Sequence, residues 1–159
     1  MDIDGVHFME RFRGDSEHTI DSKGRIIVPS RFRQVLDAMK SKVLVISRLD
    51  GGLVAYPYEK WTQIEDKILA LAEKSDRMRR FRRFFIGAAT ECPIGSQDRV
   101  LIPPKLRSYA GLEKGIVLIG VLDHFEIWDS DRLEAENMLL EEEDRKNEEV
   151  RNEIAKLGL

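Results

Sequence analysis

One cysteine stands in 159 residues, so no disulfide can form within a single chain and the fold cannot rest on a disulfide framework. That residue, Cys92, lies beside Pro93 just before a stretch that reads as a strand, where a small buried filler is the expected role. Histidine is nearly as scarce. His7, His18 and His124 are isolated, and none joins a Cys/His/carboxylate cluster at metal-ligand spacing. No glycine-rich phosphate loop, nucleophile elbow or paired-carboxylate motif is present. The most tempting acid–base run, Asp123-His124-Phe125-Glu126, reads as a turn leading into a strand with a polar start. No apolar run is long enough to span a bilayer, and the N-terminus lacks a basic segment followed by an apolar one. These absences leave an enzyme, a metal centre, a cofactor site and a membrane anchor without support. The expectation is a cytoplasmic binding protein.

Net charge is small, at −3 from 26 Lys and Arg against 29 Asp and Glu, but its distribution is uneven. Acid concentrates from Asp129 to Glu153, with Glu141-Glu142-Glu143-Asp144 as its densest run. The remainder is basic, notably at Arg11, Arg13, Lys23, Arg25, Arg31 and Arg33 and again at Arg77, Arg79, Arg80, Arg82 and Arg83. A basic body with an acidic tail suits a polyanionic partner. A hydrophobic fraction of 42% supplies an ordinary core, enough for one compact domain or two small intimate ones.

The chain repeats itself. Ile20-Asp21-Ser22-Lys23-Gly24-Arg25-Ile26-Ile27-Val28-Pro29-Ser30-Arg31-Phe32-Arg33 returns as Ile94-Gly95-Ser96-Gln97-Asp98-Arg99-Val100-Leu101-Ile102-Pro103-Pro104-Lys105-Leu106-Arg107, at a constant offset of 74 residues. Val43 to Ile46 matches Val117 to Gly120 at the same offset, and Leu53 to Pro57 matches Phe125 to Asp129 after a two-residue deletion. Two copies are too few for a solenoid, so a paired, pseudo-two-fold arrangement is predicted.

Local signals outline the elements of each copy. Thr19-Ile20 and Arg25 to Val28 read as short strands around a hairpin turn at Ser22-Lys23-Gly24. Pro29 ends the second strand and Ser30 is placed to cap a helix over Arg31 to Met39. Val43 to Ser47 and Leu53 to Tyr56 are strands around Asp50-Gly51-Gly52. Trp61, Ile64, Ile68 and Leu71 form one stripe of a helix over Tyr58 to Lys74, and Arg77 to Phe85 makes a second helix. The other copy repeats the strand order, with strands at Val117 to Val121 and Phe125 to Trp128. From Ser130 the chain reads as helical to about Leu157, with a solvated or frayed stretch at Glu141 to Glu149. Residues 1–12 lack periodicity and read as a loose extension. The implied segments are 1–12, 13–61 for the first repeat, 62–86 for connecting helices, 87–133 for the second repeat and 134–159 for a charged C-terminal helix or tail.

The leading candidate site is the paired turn bearing Lys23-Gly24-Arg25 and Gln97-Asp98-Arg99. A turn projects cations clear of the core, arginine's planar fork suits phosphate or a guanine edge, and lysine acts as a mobile point charge. The bland alternative is an arginine that only pins the turn by pairing with Asp21. Copy two keeps Arg99 while Gly95 replaces the acid, which favours an outward role. Arg77 to Arg83 is a weaker candidate, because Phe81 and Phe85 at i, i+4 fit a buried stripe with a solvated arginine face.

Arg13 to Pro29, the duplicated turn motif (Asp-x-x-x-Arg in copy one, with Gly95 in place of the acid in copy two), Tyr56-Pro57 before Trp61, and Gly120 to Trp128 together resemble the MraZ family of bacterial transcriptional regulators, over about Met9 to Glu141. The resemblance implies an α+β fold in which two AbrB/MazE-like swapped-hairpin halves form a small β-barrel with flanking helices, assembled into homo-oligomeric rings. It implies a cytoplasmic, nucleoid-associated protein that needs no cofactor. Its partner would be double-stranded DNA at promoter direct repeats upstream of the division and cell-wall gene cluster, usually with repression. Carried over by position, the DNA-contacting residues are Lys23, Arg25 and Arg99, with Asp21 and Gly24 supporting the turn. Gly95 and Asp98 depart from the pattern in copy two, where the Asp98 carboxylate is expected to sit beside Arg99 and weaken its pull on phosphate. The alternatives are an antitoxin-like protein with weak DNA binding whose acidic tail blocks a partner, and a ring scaffold.

Overall fold

A computed structural model of the chain describes residues 11–71 and 75–159. The expectation for residues 1–12 therefore lies largely outside the described residues. The helix predicted over Tyr58 to Lys74 ends at Ala70, with Leu71 already extended, and residues 72–74 lie outside the described residues. The chain divides into two compact units, Met1–Asp129 and Ser130–Leu159.

The first unit is α+β, and its two halves are interleaved. Strands β1 (Asp15–Thr19), β3 (Val43–Leu49), β4 (Gly52–Pro57), β5 (Thr90–Pro93), β7 (Gly115–Gly120) and β8 (Phe125–Asp129) form one antiparallel sheet in the order β1-β7-β8-β4-β3-β5. Exchanging the halves turns this order into itself, because the repeat equates β1 with β5, β7 with β3 and β8 with β4. Each half's first strand therefore pairs with a strand of the other half, and β4 meets β8 across the pseudo-two-fold axis.

The remaining strands, β2 (Arg25–Ile27) and β6 (Arg99–Leu101), pair only with each other as a separate two-stranded ribbon. This corrects the local hairpin reading. β1 and β2 flank a tight turn but belong to different ladders, so the halves are swapped rather than self-contained. The physical reason is burial. A three-residue strand with one inward side chain gains little from its own neighbour, whereas crossing halves sets Ile26 directly against Val100, at 1% and 0% exposure. The ribbon and the sheet share one core without a continuous ladder closing them into a barrel among the described residues.

That core contains the inward ribbon residues Ile26 and Val100 and one face of the sheet, together with helices α1 (Ser30–Ala38) and α4 (Pro104–Ala110). Phe32, Val35 and Leu36 of α1 are buried as their spacing predicts. Ser30 does not cap this helix. Pro29 takes the N-cap position in extended geometry, and no side chain bonds the free N–H groups. Phe12, read from the sequence as part of a loose extension, is fully buried and bridges to Leu122. Its ring packs edge-on against Phe32 at 5.4 Å and beside Phe125 at the same distance.

The opposite face of the sheet holds a smaller cluster of Val45, Val54, Trp61 and Phe85, contributed in part by α2 (Tyr58–Ala70) and α3 (Asp76–Phe85). Phe81 stacks on Phe85 at 5.3 Å, and the remaining α3 surface is arginine-rich and mostly exposed. Cys92 is buried as expected, and burial pushes its thiol up to about 11.

The second unit is two helices rather than one. Helix α5 (Ser130–Glu142) ends before a short 3₁₀ turn at Asp144–Lys146, and α6 (Glu148–Ala155) begins afresh. The Asn147 side chain caps α6 by accepting from the N–H groups of Glu149 and Val150. The break falls inside the polar run that the sequence marks as solvated.

Candidate nucleic-acid interface

The first turn is built around Asp21. Its Oδ1 accepts from the backbone N–H of Lys23 at 2.9 Å and of Arg25 at 2.8 Å, and its Oδ2 accepts from Arg25 Nε at 2.8 Å. The Asp21 N–H donates to Arg25 O, and the Gly24 N–H donates to Asp21 O. The Arg25 backbone N–H, ahead of its side chain and the Lys23 N–H, holds the Asp21 carboxyl down at about 2. Gly24 has φ +89°, a conformation side chains rarely adopt, and a Cβ there would come within 2.4 Å of the Arg107 guanidinium. Glycine is favoured by the left-handed backbone, and a side chain there would have to displace the Arg107 guanidinium.

The pinning contact anticipated as the bland alternative is therefore present. It does not consume the arginine, because Asp21 engages only Nε and the backbone. The two Nη groups of Arg25 and the ammonium of Lys23 have no protein partner among the described residues. An arginine held by its Nε on a carboxylate presents its outer edge in a fixed direction, which suits bidentate recognition.

The second turn reaches a similar path by other means. Gly95 cannot clamp, yet its N–H still donates to Arg99 O at 2.8 Å, as Asp21 does in copy one. Gln97 and Asp98 both adopt left-handed geometry, at φ 59° and 58°. The Asp98 carboxylate does not go to Arg99. It pairs with Arg33 Nε at 3.1 Å, while Arg33 also reaches Asp37 at 3.2 Å. The expected weakening of Arg99 by its neighbour is thus largely absorbed elsewhere. The Arg99 guanidinium has no hydrogen bond or ion pair among the described residues.

Both turns are braced by the opposite half. Val28 N–H donates to Asp98 O and Ile102 N–H donates to Gly24 O, each at 2.9 Å. The last basic residue of each copy lies against the other copy's turn, Arg107 on Gly24 and Arg33 on Asp98. Sequence reading missed this role for Arg33 and Arg107, although their shared offset of 74 was visible.

The ribbon carries the two turns' arginines onto one surface. Register sets Arg25 opposite Leu101 and Ile27 opposite Arg99. Because Ile26 and Val100 point inward, these four side chains occupy the outer face. Lys23 lies exposed at one end. Elsewhere the described residues hold no cluster of three or more metal-ligating side chains. His124 stacks on Tyr56 at 4.1 Å and pairs with Asp123 at 2.7 Å, a packed turn as its place in the repeat predicts.

Comparison with known proteins agrees with the internal duplication. A family model described as "MraZ protein, putative antitoxin-like" matches the chain twice, over residues 11–84 and 85–152. The chain is 55% identical to Transcriptional regulator MraZ of Desulforapulum autotrophicum, over 93% of this chain and 99% of the relative. It is 53% identical to the protein of the same name from Desulfosudis oleivorans and 38% identical to that of Acetivibrio thermocellus, with the same coverage in both cases.

Proposed function

The chain belongs to the MraZ family of transcriptional regulators, and from that premise we propose that it binds double-stranded DNA sequence-specifically, as a homo-oligomeric ring on promoter direct repeats, and represses the division and cell-wall gene cluster. The observation that carries this reading is the outer face of the ribbon, where Arg25 and Arg99 stand on one surface with Lys23 beside them. A two-stranded ribbon fits the major groove, and arginine forks match O6 and N7 of guanine. Lys23 supplies a phosphate contact that positions the ribbon without reading sequence. No helix of the described residues is long and apolar enough to cross a membrane. A cytoplasmic, nucleoid-associated regulator is the corresponding cellular role.

A single subunit offers few free cations and binds weakly. Several identical ribbons on repeated sites make later contacts intramolecular, which raises affinity by about 10² or more when the geometry fits. The test is titration of a duplex containing direct repeats from upstream of the protein's own reading frame. Arg25→Ala is expected to remove specific binding with fold and assembly intact, since each bidentate guanine contact is worth about 1–3 kcal/mol. Arg99→Ala should cost less, because Arg99 lacks an Asp21-like clamp and must be ordered on binding. Near-native affinity of a correctly assembled Arg25→Ala protein would refute the assignment.

A further inference from the structure

We propose that the outer face of the ribbon reads thymine methyl groups, with Ile27 and Leu101 as specificity-determining side chains beside Arg25 and Arg99. The inference rests on the DNA-binding reading above and adds a second chemistry to it.

Ile27 and Leu101 are large aliphatic residues with 49% and 54% of their surface exposed. Each ends a three-residue strand whose central residue already faces the core, so neither is needed there for burial. A threonine would serve a solvated outer strand position equally well. The repeat nevertheless puts an aliphatic at both equivalent positions, 74 residues apart. Each stands directly across the ribbon from an arginine, Ile27 from Arg99 and Leu101 from Arg25. The face is therefore a checkerboard of two cations and two apolar side chains, repeated about the Ile26–Val100 pair.

That pattern selects its occupant. An apolar partner alone would leave two arginines desolvated, and phosphate alone would leave two aliphatics wet. The major groove offers both chemistries side by side, with the guanine O6/N7 edge for a guanidinium and the thymine C5-methyl for an aliphatic side chain. The spacing agrees. Residues i and i+2 of a strand lie about 6.8 Å apart, and base steps rise about 3.4 Å, so Arg25 and Ile27 fall about two steps apart along the groove. The expected site thus holds a thymine within about two steps of each contacted guanine.

The test uses the full-length protein. A randomised duplex library is enriched by the wild-type chain, and each thymine of the enriched duplex is replaced in turn by uracil, which removes only the methyl group. Uracil at one or more positions near a contacted guanine should weaken wild-type binding about fourfold per methyl. Ile27→Ala and Leu101→Ala should bind the thymine duplex less tightly by a similar factor. Each should also cease to distinguish uracil from thymine at its own position. Arg25→Ala run in parallel reports on the underlying reading: if it binds as wild type, the ribbon does not face DNA and both proposals fall. If binding depends on Arg25 but uracil is tolerated everywhere, methyl reading alone is overturned. Light scattering gives the remaining outcome. If Ile27→Ala keeps its thymine discrimination and loses assembly instead, these side chains pack against a second copy and the inference is wrong.

Discussion

At the scale of single residues, position 24 and its counterpart 98 show how one backbone site is solved twice. Gly24 leaves room for the Arg107 guanidinium, whereas Asp98 admits a side chain because Arg33 turns to meet it. Gly24→Ala should therefore destabilise the protein by about 1–3 kcal/mol, from left-handed backbone strain and displacement of Arg107. Gly24→Asp should cost less, since aspartate tolerates this conformation and recreates the ion pair of the other half. Thermal melts of the two variants compare them directly, and an equal loss would show that space rather than pairing governs the site. DNA affinity should fall for Gly24→Asp, which adds an anion beside Lys23 and Arg25.

Asp21 supplies a pH signature. Its carboxyl lies below the ordinary 3.8, held there chiefly by the Arg25 backbone N–H. A depressed carboxyl contributes stability that is present above its unfolded value and is lost as pH falls through the folded one. The turn should stay closed across neutral and mildly acidic pH and open only between about 4 and about 2. Amide chemical shifts of Lys23 and Arg25 followed by NMR should titrate with a midpoint near 2. A midpoint near 3.8 would mean that the clamp is not formed in solution.

At the scale of elements, the ribbon is both the proposed recognition surface and the joint between halves. Ile26 and Val100 are its only inward residues, and the strands carry just three residues each. Ile26→Ala removes buried methyls from the crossing point, for an expected loss of about 2–5 kcal/mol. Because the same strand displays Arg25, specific DNA binding should fall with stability in this variant. For Ile27→Ala, whose side chain faces outward, urea unfolding should give a midpoint close to wild type. A large shift in that midpoint would place Ile27 in the core.

At the scale of the whole molecule, charge and structure divide at nearly the same place. Residues 130–159 carry ten Asp and Glu against five Lys and Arg, which leaves them at −5 and the preceding residues at +2. Every buried core residue among those described lies between Phe12 and Trp128. A chain ending at Asp129 should keep the cooperative unfolding of the first unit. With the acidic segment gone, it should bind non-specific duplex more tightly at low salt, an advantage that shrinks as salt rises. Unfolding of the truncated chain under native conditions would show that the first unit depends on the second.

Much of this design was legible in the chain itself. The constant offset of 74 residues exposed the duplication, and the spacing from Asp21 to Arg25 marked the turn. Apolar periodicity placed α1, β3, β4 and the α2 stripe from Trp61 to Ile68, though not its last member, Leu71, which is extended and exposed. These are local properties, set by side-chain period and backbone stereochemistry within a few residues. Pairing was different. Nothing near Ile26 states that its partner is Val100 and not a strand of its own hairpin, because ladder choice depends on which distant surface is left to bury. Phe12 read as part of a loose extension until Phe32 and Phe125 supplied a pocket for its ring. Asp98 looked like a neighbour of Arg99 until the crossing of the halves brought Arg33 within reach. The sequence by itself determined the repeat, the cations and most of the first unit's elements, though not the break between α5 and α6. Only the tertiary structure decided which half each strand joins and which carboxylate each arginine meets, since both are settled by burial and Coulomb attraction between groups far apart in the chain.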